Sequence, residues 1–276
     1  MLTLRSNDKL LELDKPKVMG ILNCNQDSFY AASRSQSEEK TSELIDSMIS
    51  FGANIIDIGG MSTKPGSKTI SADEEIERIA YALSYLGNHH PDTWISVDTV
   101  QATVAKFAIE AGANMINDVS GGLMDHNMLK IVGSHNIPYV CTHMKGTPET
   151  MQTDPQYDNI LKEVNAYFEE RIAACNEAGL TQVILDPGFG FGKTLEHNYQ
   201  LLNQIETLHH FGKPILTGFS RKSMIYKLLN TRPEDALNGT TILNTVALMK
   251  GIHILRVHDV REAVEAVTLI QKMKNA

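Results

Sequence analysis

Apolar residues along this chain gather into short β-rich runs, and the same kind of run keeps returning. In order they are "KVMGILN" (17–23), "NIIDIGG" (54–60), "WISVDT" (94–99), "MINDVSG" (115–121), "YVCTHM" (139–144), "VILDPG" (183–188), "PILTGF" (214–219) and "IHILRVHD" (252–259). Between them the hydrophobic period changes from that of a strand to that of a helix. In "SADEEIERIAYAL", Ser71 and Glu74 have the spacing of a capping box, and Ile76, Ile79, Ala80 and Leu83 form one apolar stripe. Leu161, Val164, Phe168 and Ile172 repeat the stripe in a longer helix expected to end at Gly179. The segments "FGANIIDIGG" and "AGANMINDVSGG" are near copies 60 residues apart, with Gly52 and Gly112 where a helix C-terminus favours a left-handed residue.

Eight strand–helix units with no linker between them predict an α/β fold, a single (β/α)8 TIM barrel over 17–276, of the usual ~250-residue size. Residues 1–16 precede the first strand as a short N-terminal extension, expected to plug or flank the barrel bottom. A doubly wound open sheet is the rival architecture. It more often opens with a glycine fingerprint after its first strand, and "ILNCNQDSF" has none.

Composition narrows the partners. The chain has 276 residues, 42% of them hydrophobic, enough for two small domains or one barrel. A net charge of −8 argues against a nucleic-acid backbone or an anionic membrane as partner. No apolar run approaches the ~20 residues of a membrane span, and the charged N-terminus does not read as a secretory signal. Cys24, Cys141 and Cys175 are odd in number and far apart, which predicts a reducing cytoplasm and no disulfide framework. Neither CxxC nor HExxH spacing occurs, and the paired histidines at 89–90 and 209–210 read as surface residues.

In such a barrel the active site forms at the C-terminal ends of the strands. Those ends carry Asn23, Asp57, Asp98, Asn117, Asp118, His143, Asp186, Arg256 and His258. Asp57 and Asp118 each have an equally plausible polar neighbour and are the best candidates for structural roles. The run "DPGFGFGKTLEHN" (186–198) has the look of a phosphate loop. The required first glycine falls on Pro187, which has no N–H, and a dinucleotide fingerprint would need glycine at Lys193. The run is not a nucleotide loop.

The strand-end segments, taken together, resemble dihydropteroate synthase, the pterin enzyme family of folate synthesis. The matching pieces are "MGILN…DSF", "IIDIGGMSTKPG", "ISVDT", "GANMINDVSGG", "MKGTPETMQ", "DPGFGFGKTLEHN", "GFSRKS" and "RVHDV", in order over nearly the whole chain. The resemblance implies condensation of 6-hydroxymethyl-7,8-dihydropterin diphosphate with 4-aminobenzoate, giving 7,8-dihydropteroate and diphosphate. It implies that Asp186 reads the N–H and NH2 edge of the pterin, that Asn117, Asp98 and Lys222 contact the remaining ring atoms, and that Gly188 lets backbone approach the ring. Arg256 and His258, two apart in sequence, would face one way and hold the diphosphate. Asp98, Lys222, Arg256 and His258 are the expected catalytic set. Ser223, at the helix start in "GFSRKS", would meet the aminobenzoate carboxylate. Thr63 and Lys64 would help cover the site, and Asn23 would be linked to Mg2+. The family also suggests a homodimer through the last helices. No strong base is required, because an arylamine is already neutral near pH 7, and Cys24 and Cys141 read as packing residues rather than nucleophiles.

The first loop departs from the family. After Asn23 the family's pattern is Val-Thr-Pro-Asp-Ser-Phe-Ser-Asp-Gly, whereas here Asp27, Ser28 and Phe29 match and the second aspartate and its glycine are Ala31 and Ala32. In the second loop Lys64 stands where arginine is usual and Met61 where glutamate is frequent. Three functions are compatible with this: a synthase with an altered lid, a pterin-binding homologue with little or no turnover, and a pterin methyltransferase, against which "GFSRKS" and "RVHDV" count.

Overall fold

The structure is a computed structural model of the 276-residue chain, and it describes residues 2–24, 34–61, 70–147, 150–151 and 153–276. Two short strands, β1 (Thr3–Ser6) and β2 (Lys9–Glu12), pair antiparallel as a hairpin. Eight parallel strands follow: β3 (Lys17–Asn23), β4 (Ile55–Gly59), β5 (Trp94–Asp98), β6 (Met115–Asp118), β7 (Tyr139–Thr142), β8 (Val183–Asp186), β9 (Leu216–Thr217) and β10 (Ile254–Val257). Their order is β8-β7-β6-β5-β4-β3-β10-β9, and a parallel bridge between Leu185 and Ile215 joins the two ends into a closed barrel. Each expected apolar run contains one of these strands. The helices, α1 (Arg34–Ser50), α2 (Ala72–His89), α3 (Ala102–Glu110), α4 (Met128–His135), α5 (Ile160–Glu177), α6 (Leu195–Asn203), α7 (Ser223–Tyr226), α8 (Leu237–Met249) and α9 (Val260–Lys274), form the outer layer.

Side chains alternate along each strand, and the alternation separates two cores. One residue set faces outward against the helices, such as Val18, Ile56, Ile95, Ile116, Tyr139, Val183 and Leu255. The other faces inward near the N-terminal ends: Met19, Ile55, Trp94, Met115, Val140, Ile184, Leu216 and Ile254 form one apolar layer, one residue per strand. Leu4, Leu11 and Leu13 of the hairpin segment pack onto it and close the barrel from below.

Local expectations hold with two adjustments. Gly52 and Gly112 have φ of +97° and +100° at the ends of α1 and α3, where a Cβ would be strained. In α2 only half of the capping box forms: Ser71 Oγ accepts from Glu74 N, while the Glu74 carboxylate turns to Arg78. The buried face of α2 runs through Glu75, Ile79, Ala82, Leu83 and Leu86, and Ile76 and Ala80 are half-buried. The stripe is therefore rotated, and it carries a buried carboxylate.

Candidate functional site

Above the apolar layer, the next inward position on most strands is polar. Asp57, Ser96, Asn117, Thr142, Asp186 and Arg256 occupy it, two residues beyond Ile55, Trp94, Met115, Val140, Ile184 and Ile254 respectively. Asp98 and Asn23 end their strands one further inward step toward the opening, and His258 follows β10 with the same parity. Seven of the ten expected site residues gather at one barrel mouth or its rim, Asn23, Asp98, Asn117, Asp186, Lys222, Arg256 and His258, and Ser223 opens α7 directly after Lys222. Thr63 and Lys64 lie outside the described residues, as do Asp27, Ala31 and Ala32.

The centre of the mouth is an ionic network. Arg256 donates from Nε to Asp57 Oδ2 at 2.6 Å and from Nη2 to Asp98 Oδ2 at 2.7 Å. Asn117 Nδ2 donates to the same Asp57 oxygen at 3.0 Å. Burial pushes the Asp98 carboxyl up to about 7, a rise that Arg256 opposes and Asp57 reinforces. One guanidinium between two buried carboxylates leaves charge uncompensated, and Asp57 Oδ1, Asp98 Oδ1 and Asn117 Oδ1 are buried with no hydrogen-bond partner. Orphaned buried acceptors of this kind are expensive unless water or a ligand meets them. They aim at donors, which an N–H-rich heterocycle offers.

On the opposite wall stand Asp186 and Lys222. Asp186 is 7% exposed and accepts from Gly188 N at 2.8 Å. Burial raises its pKa, with the Lys222 charge the main opposing influence. Lys222 Nζ donates to the Phe189 carbonyl at 2.5 Å and lies 4.5 Å from the Phe191 ring centroid. Burial pulls its pKa down to about 8, which Asp186 partly offsets. His258 sits open at the rim, with Nδ1 against Ser220 Oγ at 2.9 Å. Partial desolvation of the ring beside Ser220 and then the Arg256 charge lower its pKa to about 4.

The geometry adds to several expectations. Arg256 is engaged by two aspartates, and His258 is neutral at pH 7, so an anion at the rim would meet a guanidinium already shared with carboxylates and an imidazole N–H. Asn117 commits an N–H to Asp57, which leaves its carbonyl as the unpaired group. Asp57 and Asp118 both hold neighbouring groups, in different places: Asp57 faces inward and anchors Arg256 and Asn117, whereas Asp118 faces outward and accepts from Ser120 N, Ser120 Oγ, Gly122 N and Tyr139 OH at 2.7 to 2.8 Å. The helix after "GFSRKS", α7, is a single turn, too short for a useful dipole at Ser223. Arg221 in that segment adopts φ +55° and clamps Asp259 bidentately at 3.0 and 2.8 Å. Gly188 is required by the protein itself, since a Cβ there would lie 2.0 Å from the His143 carbonyl oxygen. Cys24 is pushed up to about 12 by burial, and burial likewise raises Cys141, so neither supplies a thiolate near neutral pH.

Among the described residues no group of three or more His, Cys, Asp or Glu is gathered to hold a metal, and no helix is long and apolar enough to cross a membrane.

Comparison with known proteins agrees with the site. The family model described as "Pterin binding enzyme" matches residues 19–258. The dihydropteroate synthase of Escherichia coli strain K12 is 42% identical over 268 residues, covering 96% of this chain and 94% of that one. The Haemophilus influenzae dihydropteroate synthase is 38% identical over 275 residues, covering 99% of both chains. The crystal structure of Yersinia pestis dihydropteroate synthase in complex with a sulfonamide drug superposes with a TM-score of 0.93 at 40% identity, covering both chains fully. The Xanthomonas albilineans dihydropteroate synthase with 4-aminobenzoic acid superposes at 0.91 and 35% identity, covering 99% of this chain and 98% of that one. The chain therefore belongs to the pterin binding enzymes, as a member of the dihydropteroate synthases.

Proposed function

We propose that the barrel mouth condenses 6-hydroxymethyl-7,8-dihydropterin diphosphate with 4-aminobenzoate to 7,8-dihydropteroate and diphosphate. The observation that carries the assignment is buried Asp186, held by Gly188 N–H and within reach of the Lys222 charge, facing the unpaired oxygens of Asp98 and Asn117. The pterin's pyrimidine edge presents an N–H and an NH2 side by side, which the Asp186 carboxylate matches as a fork. The Asn117 carbonyl and Asp98 Oδ1 accept from the remaining ring donors. Lys222 donates to the ring's carbonyl and nitrogen side.

With the pterin seated against Asp98, Arg256 Nη2 turns from that carboxylate to the diphosphate, while Asp57 keeps Nε in place. The C–O bond to diphosphate breaks with its electron pair leaving on oxygen, and the exocyclic methylene becomes cationic, delocalised into the ring. The arylamine nitrogen attacks that carbon, a C–N bond forms, and the amine proton passes to solvent or to the departing diphosphate. Arg256 and an N–H from neutral His258 stabilise the leaving charge. Catalysis is then positioning and electrostatics, with no protein nucleophile. Ser223 meets the aminobenzoate carboxylate through its hydroxyl rather than through a helix dipole. Thr63 and Lys64 complete the cover of the site.

Asn23 offers one neutral amide oxygen at the exposed end of β3. That fits a Mg2+ ion held mainly by diphosphate oxygens and water, the usual preference of this ion. When bound, it would neutralise charge on the leaving diphosphate. Exposed Ile242, Met249, Leu269 and Met273 on α8 and α9 support a homodimer through these helices. The three free thiols suit a reducing cytoplasm.

The test is release of diphosphate from purified protein supplied with the pterin diphosphate, 4-aminobenzoate and Mg2+. Release that requires both substrates supports the synthase. Binding of the pterin diphosphate without release would assign the protein a binding role instead, with Ala31 in place of the family's loop aspartate as the first suspect.

A further inference from the structure

Lys193 takes no part in the reaction derived above, yet it is only 3% exposed. Its Nζ lies 2.9 Å from the Gly188 carbonyl, 3.0 Å from the Phe191 carbonyl, 2.8 Å from His143 Nδ1 and 3.3 Å from the His143 carbonyl. Burial lowers its pKa well below the ordinary lysine value, the Asp186 charge opposes that fall, and four acceptors around one nitrogen favour the form with three hydrogens. None of these four partners is a carboxylate. Two belong to the loop after β8 and two to the end of β7. Burial, and then the neighbouring Lys193 charge, hold His143 well below its ordinary pKa, so the imidazole is neutral and its Nδ1 accepts.

The loop gripped in this way carries two groups of the site. Gly188 N–H donates to Asp186, and the Phe189 carbonyl receives Lys222. The two loops also meet backbone to backbone. A Cβ at Gly188 would fall 2.0 Å from the His143 carbonyl oxygen, and one at Gly192 2.3 Å from the Lys145 carbonyl oxygen. Carbonyl dipoles converging on one buried point repel each other unless a cation sits among them. An ammonium, with three hydrogens that can be shared among several acceptors, meets that need, and an apolar side chain of equal length would not.

We propose that Lys193 is a positioning residue for the pterin-reading pair: by gathering the carbonyls of Gly188, Phe191 and His143, it keeps the Gly188 N–H on Asp186 and the Phe189 carbonyl on Lys222. The inference rests on the assignment of the pterin ring to Asp186 and Lys222. It gives the lysine of "DPGFGFGKT" a function that is neither phosphate binding nor bulk packing. Its effect falls on the pterin half of the reaction, because Ser223 on the aminobenzoate side is not among the groups it holds.

Calorimetric titration of folded variants with 6-hydroxymethyl-7,8-dihydropterin diphosphate and Mg2+ tests this, alongside steady-state KM values for both substrates. Lys193→Met, which keeps length and loses the charge, should bind the pterin diphosphate at least about tenfold more weakly, a difference of 1.4 kcal/mol. Its KM for 4-aminobenzoate should stay within about twofold of the parent. His143→Leu, which removes an acceptor, should weaken pterin binding by about threefold, and His143→Gln, which restores one, should recover it. Parental pterin affinity in a folded Lys193→Met protein would overturn the proposal, as would equal losses of affinity for both substrates. Should Lys193→Met not fold, the histidine pair decides: identical pterin affinities for the Leu and Gln variants overturn it. A parent protein that does not bind the pterin diphosphate at all refutes the assignment of the mouth instead, and Asp186→Ala serves as the reference for lost binding.

Discussion

The two ends of the barrel are made from the same strands in opposite ways. At the bottom, eight inward side chains are apolar, and three hairpin leucines cover them. Two residues further along, six of the strands turn polar, and buried oxygens of Asp57, Ser96, Asp98, Asn117 and Thr142 have no partner. Each such atom costs about 1–3 kcal/mol while unmet. The bottom is therefore stabilising on its own, whereas the mouth is completed only by what it binds. A ligand that meets those atoms gains both its hydrogen bonds and the relief of that cost.

The sharpest way to break the comparison is to substitute one residue from each end. Asp186→Ala removes two charge-assisted hydrogen bonds to the pterin edge, each worth ~1.5–3 kcal/mol. Pterin affinity should fall by roughly two to four orders of magnitude, while the relief of removing a buried carboxyl is set against the Gly188 N–H and the Lys222 charge that it leaves unmet. Unchanged affinity in calorimetry would remove Asp186 from the pterin site. Trp94→Ala is the reciprocal change. Trp94 is 3% exposed in the apolar layer, and its truncation should cost about 3–5 kcal/mol of stability, read by denaturant unfolding. Pterin affinity of the folded fraction should stay near parental. Loss of affinity on that substitution would mean that the two ends are coupled.

Most of the frame was legible because parallel barrel strands, buried on both faces, stand out as apolar runs ending in polar residues. What escaped depends on facts that a list of strand ends does not contain. Asp118 directly follows inward Asn117 and so must point outward, while Asp57, two residues past inward Ile55, must point in. Strand parity alone separates the two aspartates. The capture of Arg256 by Asp57 spans 199 positions and rests on β10 and β4 both flanking β3. No local pattern reports that. Glu75 escaped because helical periodicity assumes that the inward face is apolar. A Cβ at Gly60 would come within 2.9 Å of Glu75 Cγ, so that glycine makes room for the chain, and Gln101 Nε2 meets the carboxylate at 2.5 Å.

A smaller effect should appear in the pH profile, again confined to the mouth. Values of kcat/KM report the free enzyme's titrating groups. For the pterin diphosphate, kcat/KM should rise through about pH 7 as Asp98 ionises, and fall above about pH 8 as Lys222 loses its proton. His258, at about 4, adds no limb near neutrality. Asp98→Asn should erase the acid limb. The same carboxyl sets a stability trend of definite sign. Its folded pKa is raised above the ordinary 3.8, so between that value and about 7 the folded state binds the proton more tightly. The Asp98 contribution to stability then declines with rising pH across that window, while His253 and His258, held down to about 4, contribute with the opposite sign. Asp98→Asn should remove the declining part and leave a more positive slope when unfolding is followed from about pH 4 to pH 7. A parental slope in the variant would assign the trend to other groups.

The finest test is Asp57→Asn, which alters charge at the mouth with little change of shape. Asn117 Nδ2 and Arg256 Nε can both still donate to the new side-chain oxygen, so the scaffold of the network survives. What changes is the field at Asp98. Asp57 helps to hold the Asp98 carboxyl up, and Arg256, relieved of one of its two anions, is left to pull it down. The acid limb should therefore move to lower pH, with kcat/KM on the plateau changed by less than about tenfold, because no proposed pterin contact is lost. A limb that moved upward, or stayed in place while activity collapsed, would mean that Asp57 touches the substrate itself. The mouth would then hold one more pterin-reading carboxylate than Asp186 and Asp98.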